Sequence, residues 1–192
     1  MKDALAFGGA CIALLNHADR VKVACLAQLV NAIAPIMTET GGPAWRQTIF
    51  YPFADISNLG RGRVLRARLD SPTYTATYYD PRSADDHRFP MPAVTHVKLS
   101  VVHDPEGGHL TVFALNRNLG ETMPLDVVLR GFRGLALERA TQLRHDDLEA
   151  TNTKERPEAV KPAPLSDVEV SGERVQAQLP PASWNVIRLR SG

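Results

Sequence analysis

Two runs of alternating character, HVKLSV at residues 96–101 and LTVFAL at residues 110–115, decide the predicted fold. Between them lies DPEGG at residues 104–108, a cluster of the residue types that favour tight turns. Alternation with a period of two is typical of β-strands. The whole stretch therefore predicts an antiparallel β-hairpin.

Outward from this hairpin, the same period continues through most of residues 62–192. Further strands are predicted at residues 62–69, 74–79, 125–129, 135–143, 168–170, 175–179 and 184–189. So many short strands at regular spacing predict an antiparallel β-sandwich, jelly-roll-like, over residues 62–192. Residues 146–164 are polar, contain prolines and lack a period, so they predict a long surface loop.

Residues 1–61 follow a helical rather than a strand period. The pattern predicts helices over residues 3–16, 19–33 and 47–58, with a short buried strand over residues 32–38. Helix, strand, loop and helix in this order are typical of an α/β barrel, but one strand cannot form a sheet. The predicted class is therefore α/β plus all-β: a partial (β/α)8 barrel remnant over residues 1–61, followed by the sandwich.

A patch of small residues, Gly8, Gly9 and Ala10, interrupts the apolar stripe of the first predicted helix. Glycine inside a helix costs about 1 kcal/mol relative to alanine. The patch therefore predicts close packing of this helix against a neighbouring element.

Composition excludes several classes of partner. Twenty-two basic residues balance twenty-one acidic ones, which argues against nucleic acid and against an anionic membrane surface. No apolar run approaches the roughly 20 residues of a spanning helix, and the first residues lack a signal-peptide pattern. A cytoplasmic protein is expected, with Cys11 and Cys25 as two buried free thiols.

The acidic residues of the barrel-like segment give no catalytic pair. Asp3 and Asp19 suit helix starts, and Asp55 is expected on the exposed side of a helix. Glu39 alone falls where a barrel strand would present a catalytic group. A catalytic pair of carboxylates would need a second acid at a comparable position, and residues 1–61 offer none, so no catalytic residue is predicted.

Two clusters resemble metal sites superficially. His103, Asp104 and His109 surround the hairpin turn, and His145 with its acidic neighbours opens the polar loop. Turn chemistry and solvation explain both clusters. No metal and no cofactor is predicted.

Aromatic residues of the predicted sandwich have two interpretations. Tyr74 and Tyr78 share one face of their strand and could stack on a sugar, but core packing is favoured. Trp184 is expected to anchor the last strand in the core.

Three colinear stretches resemble a known enzyme family. They are DAL at 3–5 with HADRVK at 17–22 and LAQLVN at 26–31; GPAWRQTIFYPF at 42–53; and FALNR at 113–117 with LPPASWNVIRL at 179–189. Together they resemble the late barrel region and the C-terminal sandwich of α-L-arabinofuranosidases of glycoside hydrolase family 51. Lys2 departs from the family, which usually has an acid at that position.

The resemblance implies a retaining hydrolase that releases terminal arabinofuranosyl groups from hemicellulose or pectin fragments. The family's two barrel glutamates precede the stretch that matches Asp3, so this chain alone is expected to be inactive. Gln47 matches a family glutamine near the substrate, and Trp45 is expected to help shape the pocket. The alternative interpretation of Gln47 is an ordinary helix-start residue.

The implied partner is an arabinose-containing oligosaccharide, bound once the full enzyme is assembled. In the family an N-terminal segment also contributes to the sandwich, so the sandwich here is expected to be incomplete. Two alternatives stay open: a carbohydrate-binding or subunit-assembly module, which includes a homo-oligomer, or half of a split enzyme completed by an N-terminal barrel half.

Overall fold

The computed structural model describes residues 1–79 and 88–191, with Tyr79 described by its backbone alone. Its helices are α1 (Lys2–Asn16) and α2 (Phe50–Leu59). Its strands are β1 (Ile36–Thr38), β2 (Ala44–Arg46), β3 (Arg63–Leu65), β4 (Thr73–Tyr79), β5 (Arg88–Thr95), β6 (Val97–Asp104), β7 (His109–Asn116), β8 (Met123–Val128), β9 (Leu135–Leu143), β10 (Ala163–Pro164), β11 (Val168–Ser171), β12 (Arg174–Leu179) and β13 (Ser183–Ser191).

Most strands belong to two antiparallel sheets. The larger sheet has the order β10-β9-β13-β7-β6-β3 and the smaller one β11-β12-β8. Apolar side chains from both sheets form one core cluster, so the sheets face each other. Mainly antiparallel β-structure with few helices is thereby confirmed. The jelly-roll class and the barrel origin of residues 1–61 stay predictions.

Strand β7 explains why the larger sheet is apolar on both faces. Leu110, Val112 and Ala114 point into the core between the sheets. Phe113 and Leu115, which alternate with them, belong to a second cluster shared with α1. The molecule therefore has three layers: the small sheet, the large sheet and the helices. The hairpin predicted from residues 96–115 is confirmed as β6 and β7.

Helix α1 lies on the large sheet through its small residues. Ala4 and Ile12 are completely buried, and Gly8 faces the ring of Trp184. A Cβ atom on Gly8 would approach Cε3 of that ring to 2.7 Å. The predicted close packing of this helix is confirmed.

Gly8→Ala is expected to lower the free energy of unfolding by about 1–3 kcal/mol, because the added methyl group meets a rigid buried ring. Gly9→Ala is the matched control, since its methyl group would lie 3.1 Å from the mobile end of Leu115. At position 9 the gain in helix propensity, about 1 kcal/mol, should offset the cost of this close contact. Urea unfolding followed by circular dichroism measures both, and equal stabilities would contradict the contact.

Helix α2 tolerates a proline because of its position. Pro52 lies in the first turn, where backbone N–H groups have no intrahelical partner. The helix ends at Gly60, whose N–H donates to the Ile56 carbonyl at 2.8 Å. The predicted helix and its end are confirmed, with a start three residues later than predicted. None of the helices in residues 1–79 and 88–191 is both long and apolar enough to span a bilayer.

The helix predicted over residues 19–33 is wrong. Residues 21–29 contain no helix or strand, and two members of the expected apolar stripe point to solvent: Val23 is 80% exposed and Ile33 is 71% exposed. An amphipathic helix needs a surface on which to bury its apolar face, and the described residues offer none here. The strand predicted over residues 32–38 shortens to β1, because Asn31 and Ala32 adopt left-handed φ angles of 62° and 51°.

The other predicted strands differ mainly at their ends. Residues 62–69 form only the three-residue β3, whereas β9 matches its prediction. Strand β5 escaped prediction because Pro90 and Pro92 argue against a strand. Proline is tolerated there because β5 lies at an edge of a two-stranded sheet.

The cysteines are free, but only one of them is buried. Burial raises the pKa of the Cys11 thiol to about 11. Cys25 is exposed, contrary to the expectation, because the helix that was to bury it does not form.

Candidate functional site

The hairpin of β1 and β2 and the turn that follows it hold both predicted substrate-binding residues. Trp45 lies opposite Met37 in the β1–β2 ladder and is half-buried. Gln47 follows two residues later, where its N–H donates to the Pro35 carbonyl at 2.8 Å. Its own carbonyl accepts from the Phe50 N–H at 3.0 Å, at the start of α2. The structure therefore brings Trp45 and Gln47 together on one short segment.

The side chain of Gln47 reaches the loop between β9 and β10. Its Nε2 donates to the backbone carbonyl of Asn152 at 3.3 Å. Gln47 is half-buried, so one end of its amide is held by protein. An amide in this state can still donate one hydrogen bond and accept others, as recognition of sugar hydroxyls requires.

Asn152 was missed by the sequence prediction. It is 2% exposed, although the loop over residues 146–164 was expected to lie on the surface. Its Nδ2 donates to the carbonyl of Arg46 at 2.9 Å and to the carbonyl of Val160 at 2.9 Å, and its Oδ1 accepts from the Val160 N–H at 2.8 Å. A buried polar side chain needs such hydrogen-bond partners. Because Asn152 is buried with all of them, part of the loop lies inside the protein rather than on its surface.

The acidic residues of the first 61 positions each have another role. Asp3 is exposed in the first turn of α1, and Asp19 lies 3.7 Å from its neighbour Arg20. Glu39, the one residue at a predicted strand end, forms an ion pair with Lys154 at 2.5 Å. That none of them is catalytic stays a prediction.

Asp55 was predicted to lie on the exposed side of its helix, and this prediction is wrong. Its Oδ2 accepts a hydrogen bond of 2.9 Å from Nε1 of Trp184, so it faces the sheet rather than solvent. Burial raises the pKa of the Asp55 carboxyl, while the Trp184 hydrogen bond and the charge of Arg139 lower it by less. The helix turns its polar residue inward because the indole N–H, itself buried, needs an acceptor. Trp184 is 1% exposed and anchors the last strand as expected.

The raised pKa of Asp55 predicts a pH dependence. The native state holds this proton more tightly than the unfolded chain, so stability should fall as pH rises from the ordinary Asp value through the native one. Asp55→Asn keeps an acceptor for Trp184 and removes the charge. It should be at least as stable as the wild type at neutral pH and lack this decrease. Urea unfolding between about pH 4 and 7 measures both; a less stable variant at neutral pH would contradict the assignment.

The residues of the suspected metal clusters serve other contacts. His103 packs edge-on against Phe132, with ring centroids 4.9 Å apart. Asp104 Oδ1 accepts from the Gly107 N–H at 3.0 Å, as a turn residue should. His109 Nε2 lies 3.4 Å from a Glu138 oxygen. Among the described residues no three metal-binding side chains gather at one point.

The loop cluster at residues 145–147 is also turn chemistry. The N–H of Asp147 donates to Nδ1 of His145 at 3.0 Å, and its side chain accepts from the Glu149 N–H at 2.9 Å. Asp146 pairs with Arg144 at 2.6 Å.

The two tyrosines have different surroundings. Tyr74 is half-buried and lies tilted against His96, with ring centroids 4.9 Å apart, but it belongs to neither core cluster. Tyr78 is 46% exposed and lies directly opposite Phe89, which is 51% exposed. The prediction of core packing is therefore wrong for Tyr78. The hairpin of β4 and β5 leaves both larger sheets, so that residue has no core to enter.

Fold and site together define a domain of two facing antiparallel sheets, with Trp45 and Gln47 at a short hairpin that the loop between β9 and β10 contacts. Comparison with known proteins gives the particular family. The chain belongs to the family of α-L-arabinofuranosidase C-terminal domains, whose model matches residues 1–183. The resemblance to glycoside hydrolase family 51 is thereby confirmed.

Several curated relatives are similar over almost the whole chain. An intracellular exo-α-(1→5)-L-arabinofuranosidase of Streptomyces lividans is 47% identical over 97% of this chain, which covers 26% of that enzyme. The enzyme of the same name from Halalkalibacterium halodurans is 44% identical over 98% of this chain, which covers 35% of it. The chain thus spans about a quarter to a third of the length of these relatives.

Solved structures show the same fold. A family 51 α-L-arabinofuranosidase from Bifidobacterium longum matches 98% of this chain with a TM-score of 0.83 and 38% identity, over 35% of its own length. An α-L-arabinofuranosidase from Thermotoga maritima, solved with arabinose, matches 98% of this chain with a TM-score of 0.81, over 38% of its length. At 22% identity, the second structure supports the fold alone.

Proposed function

We propose that this chain is the C-terminal part of a cytoplasmic arabinofuranosidase that removes terminal α-L-arabinofuranosyl groups from glycans. Gln47 and Trp45 contact the sugar, and the two catalytic carboxylates come from a barrel segment outside the chain. Residues 1–61 form the last elements of that barrel, and residues 62–192 form the sandwich. The names of the relatives, which are intracellular enzymes for arabinofuranosyl bonds, support the substrate and the compartment.

The geometry of Gln47 is the single observation that carries this proposal. Its amide stands at the end of a β-hairpin, fixed by backbone bonds on both sides and by one bond to Asn152. A side chain ordered in this way loses little entropy when it binds a hydroxyl group. An ordinary helix-start residue needs no such third attachment.

Surplus apolar surface supports a large partner segment. Val23, Leu29 and Ile33 are between 71% and 80% exposed on one irregular segment. Exposed apolar side chains so close in sequence are typical of an interface. The missing part of the barrel would cover them and give this segment the surface that a helix needs.

A second surface for the partner lies at the sandwich edge. Strand β8 is the last strand of the small sheet, and a cavity of about 610 Å³ opens between it and residues 65–72. Leu65, Val97 and Leu125 line its apolar part. A strand edge without a neighbour among the described residues, beside a cavity that is apolar in part, could accept an additional strand, which the N-terminal part of the enzyme would supply.

Nuclear magnetic resonance of the labelled chain tests the contact with sugar. Addition of α-1,5-L-arabinobiose is expected to shift the side-chain amide signals of Gln47. Gln142 is the matched control, because its Nε2 also donates to a carbonyl, that of Pro164 at 3.0 Å, but on the sheet edge. Gln47→Ala should also abolish the shifts that the sugar causes in the backbone amides of residues 44–47, and Gln142→Ala should preserve them. Unchanged Gln47 signals at saturating sugar would reject the contact.

The exposed pair Tyr78 and Phe89 favours a second candidate, a carbohydrate-binding module. Adjacent aromatic rings on a projecting hairpin offer a flat surface for sugar stacking. Retardation in an arabinoxylan affinity gel, lost in Tyr78→Ala, would support it, and unchanged mobility would reject it. The same surface would serve subunit assembly, which sedimentation of the Tyr78→Ala variant tests as a shift from oligomer to monomer.

A further inference from the structure

We propose that Asn152, from the sandwich part of the chain, is a positioning residue for the substrate-facing segment at residues 44–47. The inference rests on the proposed function, since it assigns to Gln47 the contact with sugar. Asn152 would not touch the substrate. It would act through Arg46 and Gln47, by fixing the backbone of Arg46 and the side-chain amide of Gln47 at the proposed sugar site.

The carboxamide of Asn152 closes its own loop and binds the hairpin at once. One pair of bonds, with the N–H and C=O of Val160, joins the two ends of residues 152–160. The other Nδ2 bond crosses to the carbonyl of Arg46 in β2 at 2.9 Å. The sequence separation of 106 residues makes this a tertiary link between the two parts of the chain. Because Asn152 is 2% exposed, its hydrogen bonds do not compete with water.

A second attachment holds the opposite end of the same hairpin. Lys154 lies two residues after Asn152 and forms its ion pair with Glu39, at the turn between β1 and β2. Its side chain is 45% exposed and that of Glu39 is 48% exposed, so the pair is partly screened by solvent. We therefore expect Asn152 to contribute more than Lys154 to the position of the hairpin. Lys154 is expected to restrict only the turn between β1 and β2.

The attachment also fixes which atoms Gln47 presents. The Asn152 carbonyl can only accept, so the amide nitrogen of Gln47 must face it. Oε1 is thereby directed away from Asn152 as an acceptor, and the second Nε2 hydrogen remains for donation. This arrangement suits a sugar with neighbouring hydroxyl groups, one donating to Oε1 and one accepting from Nε2.

Hydrogen exchange of the 192-residue chain tests the positioning without any ligand. In Asn152→Asp the retained Oδ1 still accepts from the Val160 N–H, but nothing donates to the carbonyls of Arg46 and Val160. The Gln47 amide and the β1–β2 amides are expected to exchange on the order of tenfold faster, with β7 unchanged. Lys161→Ala is the control: it removes a lysine of the same loop that pairs only locally, with Glu158 at 2.8 Å. Unchanged exchange at residues 36–47 in Asn152→Asp would overturn the proposal.

The exposed Lys154 gives a second variant should Asn152→Asp fail to fold. Lys154→Ala removes no buried group, so the fold should survive. Faster exchange of the Glu39 and Gly42 amides, relative to Lys161→Ala, is then expected, and identical exchange in the two lysine variants would contradict the attachment.

A titration with α-1,5-L-arabinobiose separates positioning from general stability. Asn152→Asp should weaken the response of Gln47 about tenfold and shift its side-chain signals before any sugar is added. If the wild-type chain does not respond to the sugar, the substrate contact of the proposed function fails, while the exchange experiment still decides the positioning. If Asn152→Asp and Lys154→Ala both bind the sugar as tightly as the wild type, the positioning role is rejected and the sugar contact stands.

Discussion

Replacement of Trp184 with alanine is expected to lower the free energy of unfolding by about 3–5 kcal/mol. The side chain is 1% exposed and joins the large sheet to both helices. Its ring stacks on Phe113 at a centroid distance of 5.9 Å, packs against Gly8, and donates from Nε1 to Asp55. Alanine would leave a cavity and would also remove the hydrogen bond to a largely buried carboxylate.

Trp184→Phe separates these two contributions. Phenylalanine retains much of the ring volume but cannot donate to Asp55, so the loss should be clearly smaller than with alanine. Urea unfolding followed by circular dichroism gives both values. A loss below about 1 kcal/mol for Trp184→Ala would contradict the central place of this residue in the helical layer.

Replacement of Asn116 with alanine is expected to cost about 2–4 kcal/mol, because one buried and two partly buried carbonyls would lose their donor. Asn116 is completely buried at the end of β7. Its Nδ2 donates to the carbonyls of Glu121, Leu179 and Pro180 at 3.1, 3.0 and 2.8 Å. Its Oδ1 accepts from the Asn118 N–H at 2.9 Å. One side chain thus ties the end of β7 to the segment that leads into β13.

Asn118 provides the matched control for that experiment. Its Oδ1 accepts from the N–H groups of Gly120 and Glu121, both at 3.0 Å, but the side chain is only half-buried. Asn118→Ala should therefore cost about 1 kcal/mol. Equal losses in the free energy of unfolding of the two variants, measured by urea unfolding, would contradict the view that burial strengthens the contribution of the Asn116 hydrogen bonds to stability.

The parts of the fold that could be predicted are those whose partners are supplied by the chain itself. The hairpin of β6 and β7 pairs with itself, so alternation and a turn sequence were sufficient. The close packing predicted at Gly8 likewise required only a neighbouring side chain within the chain, and Trp184 supplies it. Local pattern and tertiary structure agree wherever both members of a contact are present.

The helix predicted over residues 19–33 shows the opposite case. Its sequence has the correct apolar period, yet Val23 and Ile33 are exposed and the segment is irregular. Periodicity predicts which face a helix would bury but not whether a surface exists to bury it. Cys25 was misplaced for the same reason.

The candidate site was predictable only in part. Trp45 and Gln47 were found because the family resemblance covers their segment. Asn152 and Lys154 lie in a polar sequence without period, which gives no signal of burial. Their contacts join positions more than 100 residues apart, and such pairs cannot be derived from local pattern.

In the function proposed above, this chain supplies part of an arabinofuranosidase site, and the catalytic carboxylates come from another segment. Glu39 and Asp55, the two acids nearest to Trp45 and Gln47 in sequence, are held by Lys154 and Trp184. Catalysis by this chain would have to dispense with the pair of carboxylates that glycoside hydrolysis uses. The chain should therefore gain activity only from a partner that brings them.

Release of 4-nitrophenol from 4-nitrophenyl α-L-arabinofuranoside shows whether the chain needs such a partner for activity. The purified chain is measured alone and after mixing with the separately expressed remaining part of the Streptomyces lividans relative, which is 47% identical over the shared segment. No release above the buffer rate is expected from the chain alone, and release is expected from the mixture, lowered by Gln47→Ala but not by Gln142→Ala. Turnover by the chain alone, or a mixture that co-elutes and stays inactive, would contradict the proposed function.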